Sequence, residues 1–405
     1  MESSTRARAA RLLVLGAGPA QLGLLEAARA RGLLVAVVDR DTAAPGFRLA
    51  DRRCILSTED EPAIERLVAA LEIDGIVSPG TDWPVGVAAR IAERAGLSHP
   101  ITPATAVLAT NKLRQRERLA EAGVPQPRWW VVGNDDPPPQ VAGRVVVKAP
   151  DRQGQKGLSL VEQAGELPAA IERARSAARS GAALVEELVD GPEVTVIGFS
   201  VDGAFTALAV TDRVVAEPPA FGVALAHVWP SRAVSHISKV SEAVSRALAA
   251  LGVQSGPSYT QLRIGPDGPR VIEVAARLGG GHDAELVETV TGVDLNGLAI
   301  DAALGNKLLL SRREVRVGGA VTRFLVAPPG VLEHVDVPDD LPGVAVVRIY
   351  REPGHVFAPL RRGSDRAGAV LAAGGSREEA LARADAAADR IRFVTADAGR
   401  LSEAI

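Results

Sequence analysis

The chain contains a single cysteine, Cys54. A lone thiol can close no internal disulfide and can build no thiolate metal cluster, so the sequence suits a reducing compartment and a cytoplasmic location is expected. Aromatic residues are only 3% of the total. A dominant charge is also missing: 46 Lys and Arg stand against 49 Asp and Glu, a formal net charge of −3. Without a basic patch or a run of like charge there is no electrostatic footprint for DNA or RNA, and no nucleic-acid partner is expected. No apolar run reaches the roughly 20 residues that a membrane span requires, so no membrane partner is expected either. The opening MESSTRARAARLLVLG imitates a signal peptide, but Gly16, Gly18, Pro19 and Gln21 interrupt it and a second strand follows at once. The six histidines show no metal-ligand spacing such as H-x-x-x-H.

What is present is ordinary globular composition, 47% hydrophobic and 23% charged over 405 residues, enough for two or three domains. Residues 11–39 read strand, glycine turn, helix, strand, a parallel βαβ unit. The turn carries Gly16, Gly18 and Gly23, with Gln21 where a dinucleotide fingerprint has its third glycine, and Asp39 ends the second strand. By this motif alone a nicotinamide-binding dehydrogenase stays open. Further βα units follow, and this first domain is expected to end near Ala109. A helix beginning near Thr110 has Leu113 and Leu119 on its apolar side and stops at Gly123 and Pro125. Beyond it come RVVVKAP, a glycine loop, a helix near 166–180 and the strand ALVEELV. A helix over 235–251 places Ile237, Val240, Val244 and Leu251 on one face. Past 310 the pattern is strand-rich and closes with a helix from Ser376, where Glu379 completes a capping box and Leu381, Ala384, Ala388 and Ile391 are buried.

The most informative stretch is YTQLRIGPDGPRVIEVAARLGGG, Tyr259 to Gly281. Two alternating runs flank the turn formers Gly265 to Pro269, which reads as a β-hairpin. With Asp267 at the tip, Gln261 lies opposite Glu273. Side chains alternate along a strand, so Gln261, Glu273, Ala275 and Arg277 share one face while Leu262, Ile264, Ile272 and Val274 share the other. Two hard oxygen ligands with an arginine four residues on could hold Mg²⁺ beside a polyphosphate. An ordinary half-exposed hairpin would look the same, so other segments have to decide. Lys148 ends a strand just before the loop Asp151 to Gly157, whose Gly154 and Gly157 would let backbone N–H groups approach phosphate oxygens. Glu186, Glu187 and Val189 lie on a strand followed by Gly191 and Glu193.

In order and spacing, TNK with AGVPQP, VVVKAPDRQGQKGLSLV, VEELVDGPEVTV, GPSYTQLR and VIEVAARLGGGHD resemble the ATP-grasp superfamily over almost the whole chain. Within it the sequence looks most like the carboxylate–amine ligases, which include amino-acid ligases and biotin-carboxylase-like enzymes. The resemblance implies an α/β fold. Residues 1–109 would form a Rossmann-like pre-ATP-grasp domain, 110–310 an ATP-grasp domain of two α+β subdomains with its lid at about 127–188, and 311–405 a strand-rich C-terminal domain with a closing helix. It implies ATP and Mg²⁺, with Mn²⁺ as an alternative. Lys112 and Lys148 would contact the phosphates under a mobile loop containing Gly154, Lys156 and Gly157. The backbone of Glu186, Glu187 and Val189 would meet the adenine and Glu193 the ribose. Gln261 and Glu273 would bind the metal, and Arg277 would be catalytic, stabilising an acyl phosphate. His227, Tyr259, Gly279, Gly280 and His282 are candidates for the substrate pocket. Gln261 departs from the glutamate more usual at its position and Ala275 from an asparagine, which weakens the expected second metal site.

The expected function is ATP-dependent activation of a small carboxylic acid, above all an amino acid, and its coupling to an amine or thiol with release of ADP and phosphate. A purine-pathway carboxylase or ligase of the same layout, and an ATP-binding protein without turnover, are the alternatives. The expected partners are small molecules and, by the resemblance, a second copy of the chain.

Overall fold

A computed structural model describes residues 8–134, 136–310 and 314–396. The amino-terminal end of the signal-like stretch and position 311, the first of the expected third domain, lie outside the described residues. Near the start come β1 (Arg11–Leu15), α1 (Leu22–Ala30), β2 (Leu34–Asp39), β3 (Arg52–Ile55), α2 (Glu61–Ala70), β4 (Gly75–Val77) and α3 (Trp83–Ala95). The four strands form a parallel sheet in the order β3-β2-β1-β4. Leu12 to Leu15 have no exposed surface, as expected of a strand covered on both faces. Gln21 fills the space over Gly16, where a Cβ would lie 2.9 Å from its Cδ, and its amide donates to Pro79 O. Asp39 accepts from the amides of Ala17 (2.8 Å) and Asp41 (2.9 Å). The acid that a dinucleotide ribose would need is therefore committed to shaping the turn, which argues against the dehydrogenase alternative.

Then follow α4 (Pro103–Thr110), α5 (Lys112–Glu121), β5 (Trp129–Val132), β6 (Val145–Lys148), β7 (Ser159–Val161), α6 (Leu167–Ala177) and β8 (Ala183–Glu187). The strands make an antiparallel sheet, β5-β8-β6-β7, whose inner face packs Val145, Val147 and Val185 on Leu167 and Ile171 of α6, with Trp130 at its margin. Asn111 caps α5 by accepting from the amides of Leu113 and Arg114. Its buried residues are Gln115, Arg116 and Leu119. Leu113, expected on the apolar side, is only half-buried.

The largest sheet begins with β9 (Glu193–Val201), β10 (Ala204–Val215) and β11 (Ala224–Trp229). It continues after α7 (Ile237–Ala250) with β12 (Gly256–Gly265) and β13 (Gly268–Ala275). Helices α8 (Asp283–Thr291) and α9 (Leu295–Leu304) lead to β14 (Gly319–Leu325), β15 (Gly330–Asp336), β16 (Val344–Ile349), β17 (Val356–Phe357), β18 (Gly368–Gly374), α10 (Arg377–Arg390) and β19 (Arg392–Ala396). The order is β13-β12-β9-β10-β11-β14-β18-β16, so strands from beyond 310 extend the sheet that the hairpin begins. A smaller sheet, β17-β15-β19, lies beside it. One core cluster joins β1, β2 and α1 to α8 and α9, which fastens the first βαβ units to the rest. No helix among the described residues is long and apolar enough to cross a membrane.

Four local expectations are corrected. Ile237, at the first position of α7, is 38% exposed and does not join Val240, Val244 and Leu251 in the core. In α10 the buried residues are Ala380, Ala384 and Ala387, while Leu381 and Ala388 are only half-buried. The helix runs so close to the sheet that a Cβ on Gly374 would lie 2.8 Å from the amide nitrogen of Ala380, so alanine faces the strands. The Ser376 hydroxyl caps the Glu379 amide, but the Glu379 carboxylate accepts from Gly375, one residue before the position that a reciprocal box requires. In the hairpin, Gln261 pairs with Glu273 as expected, and a bulge then shifts the register so that Leu262 pairs with Val271. The extra residue, Ile272, is turned to the cavity side and Val271 takes its place in the core.

Gly191 lies between β8 of the four-stranded antiparallel sheet and β9 with φ +135°, and a Cβ there would sit 1.9 Å from Ile264 O. Gly191→Ala is expected to lower stability by about 2 kcal/mol through backbone strain and this clash. Denaturant unfolding measures it, and an unchanged midpoint would contradict the packing described.

Candidate functional site

The carboxyl ends of the parallel sheet, the sheet β5-β8-β6-β7 and the open face of the large sheet surround a cavity of about 740 Å³. Of the residues singled out from sequence, Lys112, Lys148, Gly154, Lys156, Glu186, Glu187, Val189, Glu193, His227, Tyr259, Gln261, Glu273, Arg277 and Gly280 line it. Gly157, Gly279 and His282 do not. Gly157 (φ +71°) packs against Ala149 and Ala177 on the far side of its loop. A Cβ on Gly279 would lie 2.0 Å from Asp283 Oδ2, so that glycine permits a close backbone approach inside the protein. His282, in the left-handed region at φ +59°, contacts the Tyr350 hydroxyl at 2.6 Å and Glu285 at 3.4 Å, beneath the wall.

At the centre, Lys112 Nζ lies 2.8 Å from Glu273 Oε1 and donates to Arg152 O at 2.7 Å. Burial alone would push the Glu273 carboxyl up, but the charges of Lys112, Lys148 and Arg277 hold it below the usual range. Burial likewise opposes charge on Lys112, yet Glu273, Asp82 and Glu186 raise its pKa, so the pair is ionised. Gln261, facing Glu273 across the strands, turns its amide nitrogen to the Tyr259 hydroxyl (3.1 Å), which leaves its oxygen for a cation. One carboxylate and one amide oxygen are few for a resident metal, and among the described residues no group of three acidic, His or Cys side chains could hold one. The pair fits Mg²⁺ that brings phosphate oxygens with it, the usual manner in which that ion is held at nucleotide sites.

Arg277 reaches the cavity wall, but its guanidinium is not free there. It donates to Asp82 from Nε at 2.6 Å, contacts the same oxygen through Nη2, and donates to Leu278 O at 2.9 Å. Asp82 in turn donates its amide to Gln153 Oε1 of the glycine loop. Glu193 is paired with Arg213 at 2.7 Å, and Glu187 with Arg128 at 3.0 Å. The amide of Glu187 goes to Arg128 O and that of Leu188 to Arg144 O. His227 Nδ1 stands 3.2 Å from the buried Asp283 carboxylate without the alignment of a hydrogen bond.

Sequence reading missed the partners that organise these groups. Glu186 has a buried carboxylate, 2.6 Å from Arg116 Nε on one oxygen and 2.5 Å from Lys148 Nζ on the other. Burial would raise its pKa, but Arg116 and Lys148 outweigh that and lower it to about 2. The available signal was spacing: Arg116 follows Lys112 by one helical turn, on the same side of α5. Asp82 also had a signal, since it follows the carboxyl end of a parallel strand, where open α/β sheets place their ligands.

A family model described as "ATP-grasp domain" matches residues 143–285, and one described as "L-amino acid ligase C-terminal domain 2" matches residues 323–396. An uncharacterized protein of Sinorhizobium fredii, y4rH, is 31% identical over 330 residues, 78% of this chain and 67% of that one. A formate-dependent phosphoribosylglycinamide formyltransferase of Burkholderia lata is 28% identical over 410 residues, 96% of each. The crystal structure of an L-amino acid ligase from Bacillus licheniformis superposes with a TM-score of 0.83 at 23% identity, covering 96% of this chain and 100% of that one, which shows a shared fold.

Folded Glu186 stays ionised down to about pH 2, whereas unfolded it takes up its proton near 4.5. Its depressed pKa therefore contributes stability above pH 4.5 that is lost as pH falls toward 2, by roughly 3 kcal/mol in all. Glu186→Gln is expected to be less stable than wild type at pH 7, with the gap narrowing below pH 4. Urea unfolding at pH 7, 4 and 3 checks this, and a gap independent of pH would refute it.

Proposed function

The chain belongs to the ATP-grasp superfamily of ATP-dependent ligases, and from this we propose that it activates a small carboxylic acid, an amino acid in the first instance, as an acyl phosphate and couples it to an amine. The observation that carries the reading is the opposition of Gln261 and Glu273 on one cavity wall, with Lys112, Lys148 and Arg277 around them. The match to an L-amino acid ligase domain at 323–396 supports an amino acid as the acid. In the same reading, residues 1–109, 110–310 and 311–405 are the functional domains, and the protein works as a cytoplasmic homodimer.

A carboxylate is a poor electrophile, and its attack on ATP brings two anions together. Lys112 and Lys148 would offset phosphate charge, and both enter the cavity already oriented by carboxylates. Mg²⁺ or Mn²⁺, held by Gln261 and Glu273, would neutralise further phosphate charge. Arg277 offers a planar donor for the acyl-phosphate oxygens once it leaves Asp82. The loop carrying Gly154 and Lys156 would close over the phosphates and limit water. Val189, with Glu186 and Glu187, would face the adenine and Glu193 the ribose, while His227, Tyr259 and Gly280 border the space left for the acid. Gly279 and His282 would act from beneath, by shaping the wall.

With the purified protein, ATP and Mg²⁺, phosphate release is expected only when an amino acid and an amine acceptor are both supplied, and Glu273→Ala should reduce it at least a hundredfold. The relative from Burkholderia lata favours a second reading, in which phosphoribosylglycinamide and formate are the substrates that elicit release. ATP binding without release in any screen would make the protein a nucleotide binder and not a ligase.

A further inference from the structure

The carboxylate Glu273 sits on β13, which is the last strand of the large sheet. The outer backbone groups of an edge strand need partners when they are buried. Here α5 supplies them through side chains. Gln115 donates to Val274 O (2.8 Å) and accepts from Val274 N (3.0 Å). Arg116 donates to Val271 O (2.9 Å) and to Ile272 O, the two carbonyls of the bulge immediately before Glu273. Its Nε binds Glu186, whose other oxygen holds Lys148. Arg116 is 1% exposed and does not itself line the cavity. One planar group thus ties the backbone beside Glu273 to the ammonium of Lys148, which comes from a different sheet.

We propose that Arg116 is a positioning residue for the nucleotide site, setting Glu273 and Lys148 in register so that a metal–nucleotide complex meets both at once. The inference rests on the ligase reading above, and it concerns binding before any chemistry. Lysine cannot reproduce the effect, because a single ammonium cannot reach two carbonyls and a carboxylate in the fork geometry of guanidinium.

The test is calorimetric titration of ADP into the full chain at a series of Mg²⁺ concentrations. For Arg116→Lys, the Mg²⁺ concentration giving half-maximal ADP binding is expected to rise at least about tenfold, as when the outer partners of a metal ligand are removed. Gln126→Ala is the structural control: it loses a 3.0 Å contact to the same guanidinium, away from Glu273. It should lower the melting temperature and move the Mg²⁺ midpoint less than twofold. If Arg116→Lys does not fold, Arg116→Met combined with Glu186→Gln removes both buried charges together, and the same tenfold rise is expected. A folded variant with an unmoved midpoint, or a control that shifts as far as Arg116→Lys, overturns the inference alone. Wild type that binds no ADP at any Mg²⁺ concentration overturns the nucleotide reading, and the inference with it.

Discussion

A sheet must end somewhere, and in this protein it ends at the strand that bears Glu273. Solvent would satisfy the outer carbonyls of such a strand on an exposed edge, but here α5 covers it, so the helix has to bring donors instead of methyl groups. That constraint explains why a helix as polar as KLRQRERLAE buries Gln115 and Arg116 beside Leu119. It also explains the role of the bulge. By adding Ile272 it turns Val271 into the core and presents two adjacent carbonyls to one guanidinium. The cavity-lining face of the hairpin and the covered edge of the sheet are consequences of the same local geometry.

Charge around the cavity is arranged by a second constraint. Isolated ions are costly to bury, and four cations on this wall have a carboxylate against them: Lys112 with Glu273, Lys148 with Glu186, Arg277 with Asp82 and Arg213 with Glu193. The desolvation is thereby met before any ligand arrives, and the cations are already oriented. The partners come from different parts of the chain, so the pairs also couple them. Gln153 ties the glycine loop to Asp82, and Arg179 after α6 stacks on Trp83 at 3.7 Å while pairing with Glu59. The glycine loop is therefore docked on the parallel-sheet domain, and Arg277 is linked to it through a single aspartate.

Much of this was legible in the residues. The alternation around Gly265 to Pro269 placed Gln261 opposite Glu273, and a lysine next to a glycine loop indicated which segments should meet them. The bulge was not legible, because one inserted residue changes neither composition nor apparent alternation, and only pairing with β12 reveals it. Nor was the buried face of α10, where the closeness of helix and sheet favoured alanines over the leucine that periodicity alone selects. Gly157, Gly279 and His282 belonged to the right motifs but face protein instead of cavity, since a motif records neighbours in sequence and not the direction of a side chain.

Local pattern by itself was enough to determine the order of elements, the hairpin and the set of chemically apt side chains, because turn formers, alternation and helix caps act within a few residues. The tertiary structure alone decided which charges are paired. Arg116 finds Glu186 across 70 positions, and Arg277 finds Asp82 across 195. Coulomb attraction in a low-dielectric interior depends on distance through space, and sequence separation carries almost no information about that until the chain has folded.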